Sequence, residues 1–405
     1  MKKRMFSLLI ATILILPACG VFNPQSNDEY SELTPIAVVV EEADNFIPKE
    51  YENLTFRQDK ISISVPEDLA CCTLREVGCF DLDYGDKLMR WWIPSEVWDD
   101  QYVSAWDDTY AYAFSSIFDR TEEDGNGWYA AVWCTGTVTY AREKGWEHFF
   151  HTPEGLDRSY NVNVDNLNES ISLDGEDVTL SSVLDLANSF ASDWLAQTDL
   201  QITLRPKYLY VCSDQNMEKF VQVIYQTCWN GVPISTVTRQ YPDSKMFTLP
   251  VPSEQNGYTG DVEMLSVLAT TTSGNDLDFF GGGNGAVELY DAGTVYENMV
   301  SLSTACDILS ESITGYGTQE IRDVALEYRF NIVGSDQPQN TYRFIDEKSG
   351  ELLPDRGKVQ LYRTSYDLYE ATPYWAFYGN DKRFCELVFY VNCLTGEVQV
   401  IDNQP

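Results

Sequence analysis

Two segments of the chain carry the same order of hydrophobic periods, and that order constrains the fold more than any other feature. From Thr179 onward, apolar residues fall at Leu180, Val183, Leu184, Ala187, Phe190 and Trp194, the spacing of one helical face. Strand-like stretches follow at 208–211 and 220–229, and Gly231-Val232-Pro233-Ile234 comes after the second. From Ser303, which the pattern makes an N-cap, Ala305, Cys306, Leu309 and Ile313 again share a helical face. Strands are predicted next at 324–330, 359–362, 375–378 and 387–391, with Thr395-Gly396-Glu397 as a turn before Val398, Val400 and Ile401. A helix followed by antiparallel strands, used twice, predicts an α+β body in which antiparallel sheets are each covered by a helix.

The region ahead of these segments is β-rich. Ile61, Ile63 and Val65 alternate with Ser62 and Ser64, the period of a half-buried strand, and Pro66 ends it. A strand is expected over 128–140, with Ala130, Val132, Cys134 and Val138 on one parity and Thr135, Thr137 and Thr139 on the other. Between them lies an aromatic, acid-rich stretch with Trp91, Trp92, Trp98 and Trp106. Residues 20–50 mix Asn, Pro, Ser and acids around one apolar burst at 36–40, the composition of a tether whose burst can dock on the body. The expected division is signal peptide 1–18, tether 19–50, β-rich region 51–175, a first helix-plus-sheet unit 176–296 and a second 297–405.

With 405 residues, 44% hydrophobic and 13% aromatic, the chain has ample apolar material to offset the entropy of ordering, so disorder throughout is excluded. The balance of 63 acids against 27 Lys and Arg gives a net charge of −36. That field repels phosphate backbones, and no basic patch interrupts it, so nucleic acid is excluded as a partner.

Lys2, Lys3 and Arg4 precede an apolar run at 6–16 that is too short to span a hydrocarbon core of about 30 Å, which is the pattern of a signal peptide. Its exit, Leu16-Pro17-Ala18-Cys19-Gly20, resembles the lipobox of bacterial prolipoproteins, with Pro17 where a small residue is usual. The resemblance implies a diacylglyceryl group on the Cys19 sulfur, cleavage after Ala18 and anchorage outside the cytoplasm. Two acyl chains make such an anchor stable where one would be reversible. Removal of residues 1–18 takes away three bases and no acid, leaving a body of charge −39.

The C-terminal segment carries a second resemblance. Pro373-Tyr374-Trp375-Ala376-Phe377, then Phe389-Tyr390-Val391-Asn392 and Thr395-Gly396-Glu397-Val398, is similar to the ending of PepSY-like domains and of related extracytoplasmic regulators of bacterial sensor kinases. Trp229-Asn230-Gly231-Val232-Pro233-Ile234 resembles the element that follows a strand in PepSY-related repeats. The same layout is similar to that of the large, mostly uncharacterised extracytoplasmic lipoproteins of Gram-positive bacteria. These resemblances imply two related PepSY-like units and a non-catalytic domain that binds a protein, peptide or other envelope component.

Motifs for catalysis are weak. The two histidines lie in Trp146-Glu147-His148-Phe149-Phe150-His151, which is not H-E-x-x-H and runs into Thr152-Pro153, so no metal is assigned. A Ser-His-Asp triad would need one of them, and there is no G-x-S-x-G elbow. Asp99, Asp100, Asp107 and Asp108 among Trp98, Tyr102 and Trp106 are a mix that suits sugar, and glycosidases need only two carboxylates about 5 to 9.5 Å apart. The plainer expectation is a solvated acidic face with the tryptophans turned inward. Glu122-Glu123-Asp124-Gly125-Asn126-Gly127 departs from a calcium loop at its first position and has Trp133 at the twelfth, so it reads as a turn. Phe280-Gly281-Gly282-Gly283-Asn284-Gly285 lacks the lysine of a phosphate loop.

Beyond Cys19 there are nine cysteines, an odd number that precludes full internal pairing. Cys71 or Cys72 with Cys79 is a candidate short-loop bridge, and Cys306 reads as a buried thiol. Cys385 and Cys393 are about 26 Å apart if one strand at ~3.3 Å per residue joins them, too far to pair. The sequence thus predicts a lipid-anchored extracytoplasmic lipoprotein with Cys19 as its one assigned site, no catalytic residue and no cofactor. Its partners are the membrane, through the lipid, and an envelope protein, peptide or glycan. The alternative is a carbohydrate-binding or carbohydrate-active surface protein using the acidic, Trp-rich region.

Overall fold

The computed structural model describes residues 33–76, 82–108, 113–121, 127–133, 138–142, 156–198, 200–213, 218–235, 266–282, 287–335, 342–346, 359–363, 367–379 and 387–402. Within them the chain is α+β and mostly strand. Its helices are α1 (Ile36–Asp44), α2 (Leu82–Trp92), α3 (Leu180–Gln197) and α4 (Leu302–Ser312). None is long and apolar enough to cross a membrane.

Two antiparallel sheets carry the architecture. The ten-stranded sheet runs, in spatial order, Val103–Asp108, Ala113–Thr121, Gly127–Trp133, Val138–Arg142, Phe279–Gly282, Ser266–Thr271, Lys219–Trp229, Thr203–Ser213 and Leu156–Asn161, with Val232–Pro233 beside Lys219–Trp229. The six-stranded sheet runs Val287–Val295, Ala70–Glu76, Asp367–Tyr378, Leu387–Asn392 and Val398–Asp402, and Asp323–Ser335 pairs along the other edge of Asp367–Tyr378. The first sheet is therefore built between residues 103 and 282, inserted between Ala70–Glu76 and the remaining strands of the second. Residues 51–175 supply strands to both.

Each sheet buries one face under helices. Leu180, Val183, Ala187 and Trp194 of α3, with Leu88 and Met89 of α2, pack on Val211, Val223 and Phe280 of the larger sheet. Val39 and Ala43 of α1, with Ala305, Cys306 and Leu309 of α4, pack on Leu74, Trp375 and Phe389 of the smaller one. The apolar burst of the expected tether is thus α1, and residues 33–50 belong to the body. Thr179 caps α3 by accepting the Ser182 N–H at 3.1 Å, and Ser301, not Ser303, caps α4 by accepting the Thr304 N–H at 3.2 Å. Ser303 is the second residue of the helix, where its N–H reaches Glu42 Oε1 of α1 at 2.7 Å.

The strand expected over 128–140 is instead two, Gly127–Trp133 and Val138–Arg142, paired from Trp128 with Arg142 to Val132 with Val138. Alternation reads across both because the parity of the first continues into the second. The Asn230-Gly231 pair is a tight hairpin: both residues have positive φ, 47° and 74°, and Trp229 pairs directly with Val232.

Candidate functional site

The most unusual chemistry lies where the two sheets meet. Strand Asp323–Ser335 is polar on one parity, with Asp323, Glu327 and Arg329, and apolar on the other, with Val324, Leu326 and Tyr328. The apolar residues enter the core under α4. Asp323 and Glu327 of the polar parity are buried as well, because they face the larger sheet: Glu327 is 0% exposed and Asp323 7%. Opposite stand Lys207, at 3% exposure on Thr203–Ser213, and Gln226 on Lys219–Trp229. Lys207 sits in a register shift between Pro206 and Tyr208, a bulge that re-aims a side chain out of the regular alternation.

Glu327 Oε1 is the centre of the cluster. It accepts hydrogen bonds from Gln226 Nε2 at 3.0 Å and from the Tyr378 hydroxyl at 2.5 Å. Lys207 Nζ lies 3.5 Å from the same oxygen and 3.6 Å from the centre of the Tyr378 ring. It is within ion-pair reach yet makes no hydrogen bond, and Glu327 Oε2 makes none either. Beside them Asn161 Nδ2 donates to Asp323 Oδ2 at 3.0 Å, and the Val324 N–H donates to Oδ1 at 2.9 Å. Burial raises the Asp323 carboxyl above the usual aspartate range, and nearby Glu327 adds to the rise against the opposing pull of Asn161 and Lys207. Two contacts extend the seam: the Ser235 N–H donates to the Tyr328 carbonyl at 2.8 Å, and Ser235 Oγ is 2.7 Å from the Tyr390 hydroxyl.

The cluster is closed to solvent. The depression next to Asp323, lined by Phe56, Ile61, Ile321 and Val324 among others, is shallow and has no interior room for a ligand of ordinary size. Among the described residues no group of three His, Cys, Asp or Glu is arranged to hold a metal.

The residues singled out by sequence fall elsewhere. Cys19, Glu147, His148, His151, Cys79, Cys134, Cys385 and the 122–126 segment lie outside the described residues. Asp99 accepts from the Gln101 backbone and side chain at 3.0 and 2.7 Å, and Asp100 accepts from Trp98 Nε1 at 2.8 Å, so both serve local turn structure. Trp91 and Trp92 of α2 pack on Phe190 and Tyr140, and Trp98 stacks on Phe118 with the Arg90 guanidinium 3.9 Å from its ring centre. Cys71 and Cys72, on Ala70–Glu76, are free thiols, and so are Cys212, Cys228, Cys306 and Cys393 elsewhere in the fold; Cys79, the other half of the expected short-loop bridge, lies outside the described residues. Burial pushes the Cys72 thiol up to about 11, the Cys212 and Cys228 thiols up to about 12, and those of Cys306 and Cys393 higher, which keeps them protonated and unreactive.

No protein-family model and no curated protein matches the sequence. A solved structure, that of an uncharacterised protein from Eubacterium rectale ATCC 33656, is similar in fold, with a TM-score of 0.51 at 11% identity over 91% of this chain and 99% of that one.

Proposed function

We propose that the protein is a lipid-anchored extracytoplasmic lipoprotein with a non-catalytic binding or regulatory role at the cell envelope. The observation that carries this reading is the signal-peptide pattern ending in Leu16-Pro17-Ala18-Cys19-Gly20. The two helix-covered sheets fit a pair of PepSY-like units: the Asn230-Gly231 hairpin follows a long strand of one sheet, and Thr395-Gly396-Glu397 links the last two strands of the other. A body of charge −39 held at an anionic lipid surface is repelled from it, which leaves it standing off the membrane, open to an envelope protein or peptide. Trp91 and Trp92 of α2, packed on Phe190 and Tyr140, and Trp98, stacked on Phe118, give no specific support to the carbohydrate alternative.

Replacing Cys19 by Ala and fractionating the cells tests the anchor. The unaltered protein is expected in the membrane pellet and the Cys19→Ala protein in the soluble fraction; a variant that still pellets with membranes removes the lipid as the anchor. Crosslinking of the anchored protein in intact cells, followed by mass spectrometry, then names the partner.

A further inference from the structure

The geometry at the seam points to a covalent modification: we propose that Lys207 Nζ and the Glu327 side chain condense to an intramolecular amide that joins the two sheets. This is independent of where the protein resides, and four observations carry it.

First, both groups are sealed, at 3% and 0% exposure, so neither is stabilised by water. A buried ion pair recovers its desolvation cost only when the remaining protons and lone pairs are satisfied, and here Lys207 Nζ and Glu327 Oε2 make no hydrogen bond. Second, the nucleophile is close to the carboxyl it would attack, with Nζ 3.5 Å from Oε1. Reacting groups held near contact behave as if at about 10⁵–10⁸ M, so one fixed encounter substitutes for a bimolecular one. Third, the two oxygens of Glu327 are differentiated. Oε1 is held by two donors, Gln226 Nε2 and the Tyr378 hydroxyl, which is the arrangement that stabilises an oxyanion, whereas Oε2 is held by nothing. Fourth, the Tyr378 ring lies against Nζ at 3.6 Å and fixes where the amine sits.

The step balances without any further reactant. The step begins with loss of one ammonium proton to the Glu327 carboxylate, whose near oxygen Oε1 lies 3.5 Å from Nζ, leaving an amine and an acid. The Nζ lone pair attacks Cδ, forming the C–N bond, and negative charge develops on Oε1 under its two donors. The Cδ–Oε2 bond breaks, and Oε2 departs as water with two of the three original ammonium protons. The third stays on nitrogen, so two opposite charges become one neutral amide and one water. The product removes the buried charges and both unpartnered ionic atoms, which is the driving force.

Tryptic digestion of the full-length protein under denaturing conditions, with tandem mass spectrometry, decides the matter. Trypsin cuts after a free lysine but not after an acylated one. The expected product is a branched peptide joining the segment around Lys207 to the segment carrying Glu327, lighter than the two separate peptides by one water. The intact mass falls by the same amount, and the Lys207→Arg protein, checked by circular dichroism for its fold, lacks both signatures. Recovery of peptides ending at an unmodified Lys207, with no mass deficit, overturns the proposal. A link from Lys207 to Asp323, or an ammonia loss that places it on Asn161, overturns the assignment to Glu327; fragment ions distinguish these sites.

Discussion

Asp323 shows how much a single residue's surroundings decide its chemistry. Its carboxyl lies at the seam, holds the Asn161 amide and the Val324 N–H, and has its pKa raised chiefly by burial. A folded pKa above the unfolded one means that the native state binds more protons in the interval between them. Stability from this group is therefore full below the ordinary aspartate range, near pH 4, and is lost as pH rises through the raised value. Asp323→Asn, which cannot ionise, is expected to match the wild type at the acid end and to gain on it progressively as pH rises. Urea midpoints across that range check it, and parallel curves for the two proteins would dispose of the argument. None of this was legible in the sequence. In 323–329 the charged residues alternate with apolar ones, which reads as the wet side of a half-buried strand. Lys207 and Glu327 belong to segments far apart in the chain, and nothing local says that they meet. The only local hint is the density of Tyr around both, Tyr208 and Tyr210 on one side and Tyr328 on the other.

At the level of the element, periodicity was sufficient wherever one face alone is buried. The helical face from Leu180 to Trp194 and that from Ala305 to Ile313 both lie against sheet, because a 3.6-residue stripe of this width has no other stable placement. Periodicity was insufficient over 128–140, where two paired strands share one parity, and for α1, whose Val38-Val39-Val40 run is intrinsically poor in helix propensity and forms only because Val39 and Ala43 are buried. Residue 303 was placed as a cap from a serine-rich stretch in which three hydroxyl residues compete; the structure uses Ser301. Ser301→Ala is expected to cost about 1 kcal/mol in chemical denaturation, with Ser303→Ala costing less, since its N–H bond to Glu42 survives and only the 3.0 Å contact of its hydroxyl with Ser301 Oγ is lost. Equal losses from the two would place the cap elsewhere.

Across the whole molecule, the larger sheet is an insertion in the smaller one. Val39, Leu54, Ile61 and Leu74 from the start of the described chain share one core with Leu309, Trp375 and Phe389 from its end. A protein beginning at residue 287 consequently lacks α1 and strand Ala70–Glu76, and leaves Leu368–Ala371 without a neighbour on one edge. That fragment is expected to show no cooperative thermal transition, whereas supplying residues 33–76 as a separate chain restores one; a sharp transition in the fragment alone would refute the shared core. The overall α+β class was legible from the repeated helix-then-strands order. The interleaving was not, because a strand's partner across some 210 residues leaves no periodic trace.

That interleaving also sets a timetable for biogenesis. Residues 33–76 leave the ribosome as one half of an interface whose other half begins at residue 287. At about 5–20 residues per second, the intervening stretch takes on the order of ten to forty seconds to synthesise. Throughout that interval Leu54, Ile61, Leu69 and Leu74 have no native surface to cover them. The inserted body can close first, whereas the body that carries the N-terminal end must wait for the last strand of the chain.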